Sequence, residues 1–437
     1  MAEMLEAANF VRLHETEPWG LTPGGKYFTV RDDSGLMAWT VGGAFNPKTA
    51  VCKILAGHTD SPCIRLAPKS AMDNKGWHQT AIQTYGAGIW TTWMDKDLKL
   101  SGRVLVRQNG KLESRLYDSV RPVASIPNLC VHFGVNRPLT IEINKETHLR
   151  AVISTSLYDQ LNPNPDQASN HFWGLMQDIG EKLKVAHEDI VDFDLCFADT
   201  EPGCFFGFND EFISSGRLAN LYTCYFTLVA LMNASEGDKL ANKDDICFAG
   251  LFDHESIGSK TVTGADSEFC SGLIKKIFAL LAEKHSECRP DQMECFLRKS
   301  FLLNGDMAHA VHPCWPGKTH SNHQAMCDKG VVVKYDANQG DFITNSISGS
   351  MVKEVLRRAD VPMQDFVNKQ DAAFRGTIGP LLAGSLGCLA ADVGIAQLAT
   401  GSIREMCGVL DAYYYLKFFE CYYENPLPVV TTPGPAL

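Results

Sequence analysis

The residue types that ligate metals and move protons collect in three short stretches of this chain. His58 and Asp60 flank a threonine in Gly57-His58-Thr59-Asp60-Ser61-Pro62. Asp253 and Glu255 stand in Phe252-Asp253-His254-Glu255-Ser256-Ile257-Gly258-Ser259. Asp306, His309 and His312 crowd together in Asp306-Met307-Ala308-His309-Ala310-Val311-His312-Pro313. An imidazole with a carboxylate nearby to orient it is a recurrent metal-site arrangement. A buried glutamate beside a metal makes a good general base, because burial and the neighbouring charge tune its pKa. Asp306 could ligate a metal, and the two histidines could hold substrate or donate hydrogen bonds. Each stretch also has a plain structural reading when taken singly. His-x-Asp can be a hydrogen-bonded surface turn. Asp253 or Glu255 can cap a helix following Gly258. Residues 306–312 can be a polar loop with incidental histidines.

Two other patterns are set aside. Gly20-Leu21-Thr22-Pro23-Gly24-Gly25-Lys26 has the spacing of a phosphate loop, but Tyr27 stands where Ser or Thr is required and no strand precedes it. His320 and His323 are three apart without the His-Glu-x-x-His helix of zinc proteases, and read as loop residues.

The elements around these stretches explain how they could converge. Val51–Ala56 is a short apolar run that reads as a buried strand delivering His58 at its C-terminal end, and Ile246–Phe252 repeats the pattern for Asp253 and Glu255. Leu98–Gln108 and Leu139–Asn144 alternate like strands, and Arg107-Gln108-Asn109-Gly110-Lys111 predicts a hairpin turn. Asn162–Asp166 reads as a loop. Leu218–Met232 predicts a helix apolar on most faces and therefore buried. Leu273–Lys284, Val352–Arg358 and Ile403–Phe419 predict further helices. The tail from Asn425, with Pro426, Pro428, Pro433 and Pro435, predicts extended or disordered chain. The expected architecture is α/β: a mixed sheet flanked by helices, formed by 1–64 and 203–437, interrupted by an inserted, mainly-β domain at 65–202. Strand-end loops are where such sheets place their chemistry, and the three stretches fall on those loops.

Composition narrows the function class. The chain has 437 residues, a hydrophobic fraction of 45% and a charged fraction of 21%, as expected of a soluble globular protein. A formal net charge of −11 argues against nucleic acid and against an anionic membrane surface as partners. Its 15 cysteines are an odd number without a Cys-x-x-Cys pair, the usage of a reducing compartment. With no apolar leader and no run of the ~18–20 apolar residues that a membrane span needs, the expected address is the cytoplasm.

Together these segments resemble the aspartyl aminopeptidase family, the M18 metallopeptidases. The resemblance runs over nearly the whole chain. It includes Ser61-Pro62-Cys63-Ile64-Arg65-Leu66 after His58, Tyr85-Gly86-Ala87-Gly88-Ile89-Trp90, Asp95-Lys96-Asp97-Leu98, Arg121-Pro122, Ile126-Pro127-Asn128-Leu129 with Val131-His132, Gly376-Thr377-Ile378-Gly379-Pro380 and Asp392-Val393-Gly394. The resemblance implies a zinc-aminopeptidase-like domain interrupted by a dimerisation domain, assembly into a tetrahedral dodecamer, and removal of N-terminal Asp or Glu. It implies His58 and Asp306 as zinc ligands, Glu255 as general base and Asp60 as a catalytic partner of His58. It also implies that His132 reaches a neighbouring subunit's site, and that His309 and Lys334 contact substrate, Lys334 meeting its acidic side chain. Phe342 stands where the resemblance implies a tyrosine.

Three positions depart from this pattern. The resemblance puts a metal-bridging aspartate at Ala219, a glutamate ligand at Ser256 and a histidine ligand at Gly401. A cocatalytic pair needs about three imidazole or carboxylate ligands per metal, and His58 and Asp306 alone remain. His254, the one new imidazole nearby, is expected to face away from Glu255 if the strand continues. Zinc is thus implied by the resemblance but expected to bind weakly or not at all. Without it, Glu255 faces water of pKa ~15.7 rather than ~7, and one of Glu255 and Asp306 is expected to hold a proton. Two functions compete: a catalytically degenerate homologue that keeps fold and oligomer and binds acidic peptide N-termini or an active paralogue, and a working metalloaminopeptidase with a rearranged site.

Overall fold

The computed structural model describes residues 1–133, 142–163, 170–286, 288–338, 340–372 and 376–430. The chain divides into two compact units: Met1–Ser61 with Phe205–Thr400 and Glu405–Leu437, and Pro62–Cys204 with Gly401–Arg404.

The first unit is built on a mixed sheet of nine strands. In spatial order they are Val11–Arg12, Lys26–Arg31, Gly35–Val41, Ile246–Phe252, Cys52–His58, Phe301–Gly305, Leu389–Gly394, Val331–Tyr335 and Met363–Val367. Cys52–His58 runs parallel to both its neighbours, and Phe301–Gly305 runs parallel to Leu389–Gly394. The central strands Ile246–Phe252, Cys52–His58 and Phe301–Gly305 are buried along their whole length. That accounts for their continuous apolar runs, since a parallel sheet is covered on both faces. Helices Leu218–Asn233, Ser346–Arg358 and Leu410–Glu424 supply one set of covering side chains, including Leu228, Val352 and Phe419. Glu268–Ala282, Gln292–Lys299 and Gly379–Leu386 supply a second, including Phe269, Phe296 and Leu382. Ser346–Arg358 starts where Asn345 and Ser348 form a reciprocal capping box.

The second unit holds a six-stranded antiparallel sheet, ordered Lys111–Asp118, Leu98–Gln108, Ile190–Asp199, Cys63–Asn74, Trp77–Tyr85 and Ala151–Thr155. Asn109 and Gly110, both at positive φ, make the turn of its first hairpin, as Asn-Gly between alternating strands predicts. The helix Trp173–Leu183 contributes Leu175 and Ile179 to this unit's core.

Several expectations need correction. The helix expected over Ile403–Phe419 starts at Leu410. Glu405–Gly408 is instead a strand, drawn into antiparallel register with Phe212–Ser215. The helix from Leu218 has non-helical dihedrals at Ala219 and Asn220. Residues 139–141 and 164–166 of the expected strand and loop lie outside the described residues, and residues 142–144 form no strand. Among the described residues no helix is long and apolar enough to cross a membrane.

Candidate active site

The C-terminal ends of three adjacent parallel strands bring the first unit's candidate residues together. His58 ends one strand, Asp306 follows Gly305 at the end of a second, and Glu255 lies just past Phe252 at the end of the third. The His58 Nε2 atom stands 3.6 Å from Asp306 Oδ1 and 3.8 Å from Glu255 Oε2. Its Nδ1 is 3.0 Å from the Asp60 carbonyl oxygen and 3.4 Å from Asp60 Oδ1. The imidazole is therefore hemmed in by three carboxyl groups.

Asp60 acts mainly on the backbone. Its two carboxylate oxygens accept hydrogen bonds from the amides of Glu255 (3.0 Å) and Ser256 (2.9 Å). This fixes the short 3-10 turn Glu255–Ile257, which His254 enters at φ 65. Glu255 thus opens a turn and caps no helix; the next helix begins at Glu268, where Ser267 supplies the cap. Because His254 is left-handed, the strand argument for its orientation does not apply. Its Nδ1 lies 3.0 Å from Thr261 Oγ1.

The charges are unequal. Burial pulls the His58 imidazole down, but Glu255, Asp306 and Asp60 outweigh it and hold its pKa well above the ordinary value. Burial pushes Glu255 up, with Asp306 and Asp60 adding to the rise against the opposing pull of His58. Burial works against the Asp306 carboxylate as well, yet Lys334 and His58 overcome it and keep its pKa low. Of the two acids expected to compete for a proton, Glu255 is the one that takes it more readily.

The charge of Lys334 bears on both Asp306 and His309. The buried Lys334 Nζ donates to the Asp306 carbonyl at 3.2 Å and stands 4.8 Å from the ring centroid of Phe342, which offers no hydroxyl. His309 Nδ1 is 3.3 Å from Thr400 Oγ1. Burial and Lys334 pull its pKa down to about 4, so the ring is neutral at pH 7. His309, His312, Trp315, Phe366 and Asn368 line a cavity of about 220 Å³. The buried Asn368 Nδ2 has no hydrogen-bond partner among the described residues. His320 and His323 pair with each other through their Nδ1 atoms at 3.1 Å.

The backbone at Ala219 is held by side chains on both of its polar groups. Its amide donates to Glu405 Oε2 at 2.9 Å, and its carbonyl accepts from Ser61 Oγ at 2.7 Å. Arg217 is left-handed, the Ala219–Asn220 peptide is cis, and Asn220 Nδ2 donates to the Gly305 carbonyl at 2.8 Å. At 219 itself there is only a methyl group. The Ser256 hydroxyl faces Glu255 Oε2 at 3.5 Å. Gly401 and His132 belong to the second unit. There the Gly401 carbonyl accepts from the Ile89 amide, and His132 is exposed on the 3-10 turn Val131–Phe133.

Sequence reasoning missed the residues that support the site. Asp392 is fully buried and accepts from Asn304 Nδ2, Thr377 Oγ1 and the Ile343 amide. Its one visible signal is an acid inside the apolar run Leu389–Gly394. Glu405 and Ser61 carry no such signal, because they act on a backbone distant in sequence.

A zinc pair does not fit this donor set. Imidazole and carboxylate come from His58, Asp306 and Glu255, while positions 219 and 256 offer a methyl and a hydroxyl. Among the described residues no group of three or more His, Cys, Asp or Glu side chains is arranged to hold a metal ion.

The comparisons with known proteins are consistent over the whole chain. Residues 1–423 match the family described as Aminopeptidase I zinc metalloprotease (M18). An aspartyl aminopeptidase of Caenorhabditis elegans is 35% identical over 434 residues, covering 97% of this chain and 90% of that protein. Among solved structures, the Ape4 and Nbr1 complex contains a chain with a TM-score of 0.92 at 33% identity, covering 97% of this chain and 81% of that one. Chaetomium thermophilum mApe1 gives 0.87 at 30% identity, covering 97% and 92%. The sheet order, the strand-end cluster and these matches agree, and the chain belongs to the M18 aminopeptidase family.

Proposed function

We propose that this chain is a catalytically degenerate M18 homologue: an aspartyl aminopeptidase-like scaffold that holds acidic peptide N-termini without zinc-dependent cleavage. The observation that carries this reading is the donor set around His58. On the family's pattern, Ala219, Ser256 and Gly401 stand at three ligand positions, leaving His58 and Asp306. An imidazole flanked by Asp306 and Glu255 then occupies the place of the metals. Removing one supporting group around a metal costs 10–100-fold in affinity or activity, and three lost ligands cost more. The groups suited to an acidic N-terminus remain: carboxylates of Glu255 and Asp306 for the ammonium, and Lys334 and neutral His309 for the side chain. The same reading makes the protein a homo-oligomer, a tetrahedral dodecamer in which the insert dimerises and His132 approaches a neighbour's site, or a partner of an active paralogue.

A second reading has its own support. His58, Asp306 and Glu255 already converge, and the relatives matched carry the name aspartyl aminopeptidase. An active enzyme would need Glu255 to turn onto the metal as a third ligand, which removes the general base.

Elemental analysis after dialysis against a mild chelator, with turnover of an Asp-linked chromogenic substrate in added zinc, cobalt or manganese, separates the two. The degenerate reading expects well under one zinc per chain, no turnover, and saturable binding of an Asp-terminal peptide that Lys334→Ala weakens. Two retained zincs, or turnover in the ordinary range of about 1–10³ s⁻¹, overturns it.

A further inference from the structure

Cys63 and Cys196 lie on adjacent strands of the second unit, far from the usual pattern of scattered buried thiols in this chain. Cys196 is the register partner of Arg65 between the antiparallel strands Ile190–Asp199 and Cys63–Asn74. Cys63 precedes Arg65 by two residues, so all three side chains share one face of the sheet. That face is the less buried one: Ile64, Leu66, Leu195 and Phe197 on the opposite face are core residues, whereas Cys63, Arg65 and Cys196 are half-buried. The register sets Arg65 directly opposite Cys196 and makes Cys63 its diagonal neighbour on the same face, so the guanidinium stands between the two thiols. Tyr85, opposite Cys63, carries the guanidinium on its ring at 3.9 Å from the centroid. The Arg65 Nε is buried and has no hydrogen-bond partner among the described residues. Stacking on Tyr85 therefore orients a cation on the face that carries both sulfurs.

We propose that Cys63 and Cys196 form an oxidisable dithiol, with Cys196 the sulfur that peroxide oxidises first and Cys63 the one that resolves it. The Cys196 thiolate attacks one oxygen of hydrogen peroxide. An S–O bond forms, the O–O bond breaks, and hydroxide leaves and takes up the proton that the thiol had released. Sulfur is oxidised to sulfenic acid and peroxide is reduced. Cys63 then attacks the sulfenic sulfur, forming an S–S bond as the S–O bond breaks, and its proton leaves with the second water. Two thiols and one peroxide give one disulfide and two waters. The two side chains leave adjacent paired strands on one face, so the condensation needs side-chain movement rather than strand exchange.

The surroundings support the order of events. Donation from Cys63 and the charge of Arg65 pull the Cys196 thiol down to about 7, against burial and the opposing charge of Asp194. Cys63 is pushed up by the same hydrogen bond and by burial. Asp194 is itself paired with Arg103, and Ser101 faces Cys196 from the other neighbouring strand without adding charge. A thiol near ambient pH is close to the optimum for attack.

The test uses the full chain, reduced and then exposed to hydrogen peroxide, with peptide mapping under non-reducing conditions. A Cys63–Cys196 linked peptide should form ahead of any linkage among the exposed Cys130, Cys204, Cys295 and Cys314. Iodoacetamide labelling of Cys196 should have its pH midpoint near 7 rather than the ordinary ~8.5. Cys63→Ser should leave a dimedone-reactive sulfenic acid at Cys196 and no linked peptide. Arg65→Gln should raise the labelling midpoint, and Arg65→Lys should restore part of the shift. The proposal fails if the exposed thiols oxidise while no 63–196 link appears, or if the wild-type midpoint is that of an ordinary thiol. Both wild-type measurements stand even if a variant does not fold.

Discussion

On the proposed function, Ala219→Asp, Ser256→Glu and Gly401→His introduced together supply the donors that the family's pattern calls for, and the structure says what each change costs. The backbone at 219 needs no rebuilding, because Glu405 and Ser61 already hold its amide and carbonyl. The Ser256 amide is likewise held by Asp60. Gly401 is the expensive position. It sits at φ +82, and a Cβ there would lie 3.0 Å from the Ala87 carbonyl oxygen. A left-handed non-glycine residue costs about 1 kcal/mol, and the close contact brings the penalty to roughly 1–2 kcal/mol. At about 2–4 °C per kcal/mol for a large domain, the metal-free revertant should melt roughly 2–8 °C below the parent. Two new carboxylates beside Asp60, Glu255 and Asp306 push it further in that direction. Zinc at a hundredfold excess over its Kd returns about 2.7 kcal/mol per site, so saturating zinc should carry the melt past that of the parent. Single reversions should show little zinc response, because the ligands act as one unit. The assay is thermal unfolding with and without zinc, alongside elemental analysis and cleavage of N-terminal Asp or Glu. A triple revertant that neither binds zinc nor shifts would refute the assignment of ligand positions. One that binds two zincs but stays inactive would point to the substrate pocket, with Phe342→Tyr the next change to make.

Asp60→Asn should destabilise the first unit by about 1.5–3 kcal/mol, the scale of a hydrogen bond to a charged acceptor. One of the two amides at 255 and 256 then faces an NH₂ group; an unfolding free energy from urea titration within about 0.5 kcal/mol of the parent would contradict this. The folded state keeps His309 neutral down to about pH 4, whereas an unfolded histidine protonates near 6.5. Unfolded chains therefore bind more protons in that window, and stability should be lost as pH falls from 6.5 towards 4, by at most about 3 kcal/mol. His309→Asn should flatten that slope in urea titrations. Burial pushes Asp411 to about 7, against hydrogen bonds from the Asp328 and Gly330 amides. Here the folded state holds the extra proton, so this group should cost stability as pH rises from about 4 to 7, and Asp411→Asn should remove that component. Light scattering at micromolar concentration should find a symmetric oligomer, and a monomer would remove the dodecamer from the proposed function.

The parts of this fold legible in the sequence are those fixed by local pattern. Cys52–His58 and Ile246–Phe252 show themselves as continuous apolar runs because both faces of a parallel strand are covered. Asn109-Gly110 shows itself because only those residue types turn so tightly between alternating strands. Non-local pairing is invisible by the same logic. Glu405–Gly408 has enough apolar character to extend the following helix on paper, and it is its register with Phe212–Ser215 on one side and Ala396–Leu398 on the other that makes it a strand. The placement of Gly401–Arg404 with the second unit leaves no local mark either. In the site, His58, Glu255 and Asp306 announce themselves by type. Ser61 and Glu405 act through backbone groups far away in sequence, with nothing in their neighbours to predict it, and Asp392 shows only as an acid in an apolar run, not by its distant partners Asn304, Thr377 and Ile343.

That division also explains how a site could lose ligands and keep its shape. The turn at Glu255–Ile257 is fixed by Asp60 through amides that any residue at 255 or 256 would present. The loop at Ala219 is fixed by Glu405 and Ser61 through the main chain, and Asn220 ties it to Gly305. None of these contacts uses the side chain of residue 219 or 256. On the proposed function, a carboxylate absent from either position takes away chemistry while leaving these main-chain hydrogen bonds in place. The proposed function therefore turns on the donor atoms at three positions, side-chain identities that a backbone comparison, however close, does not register.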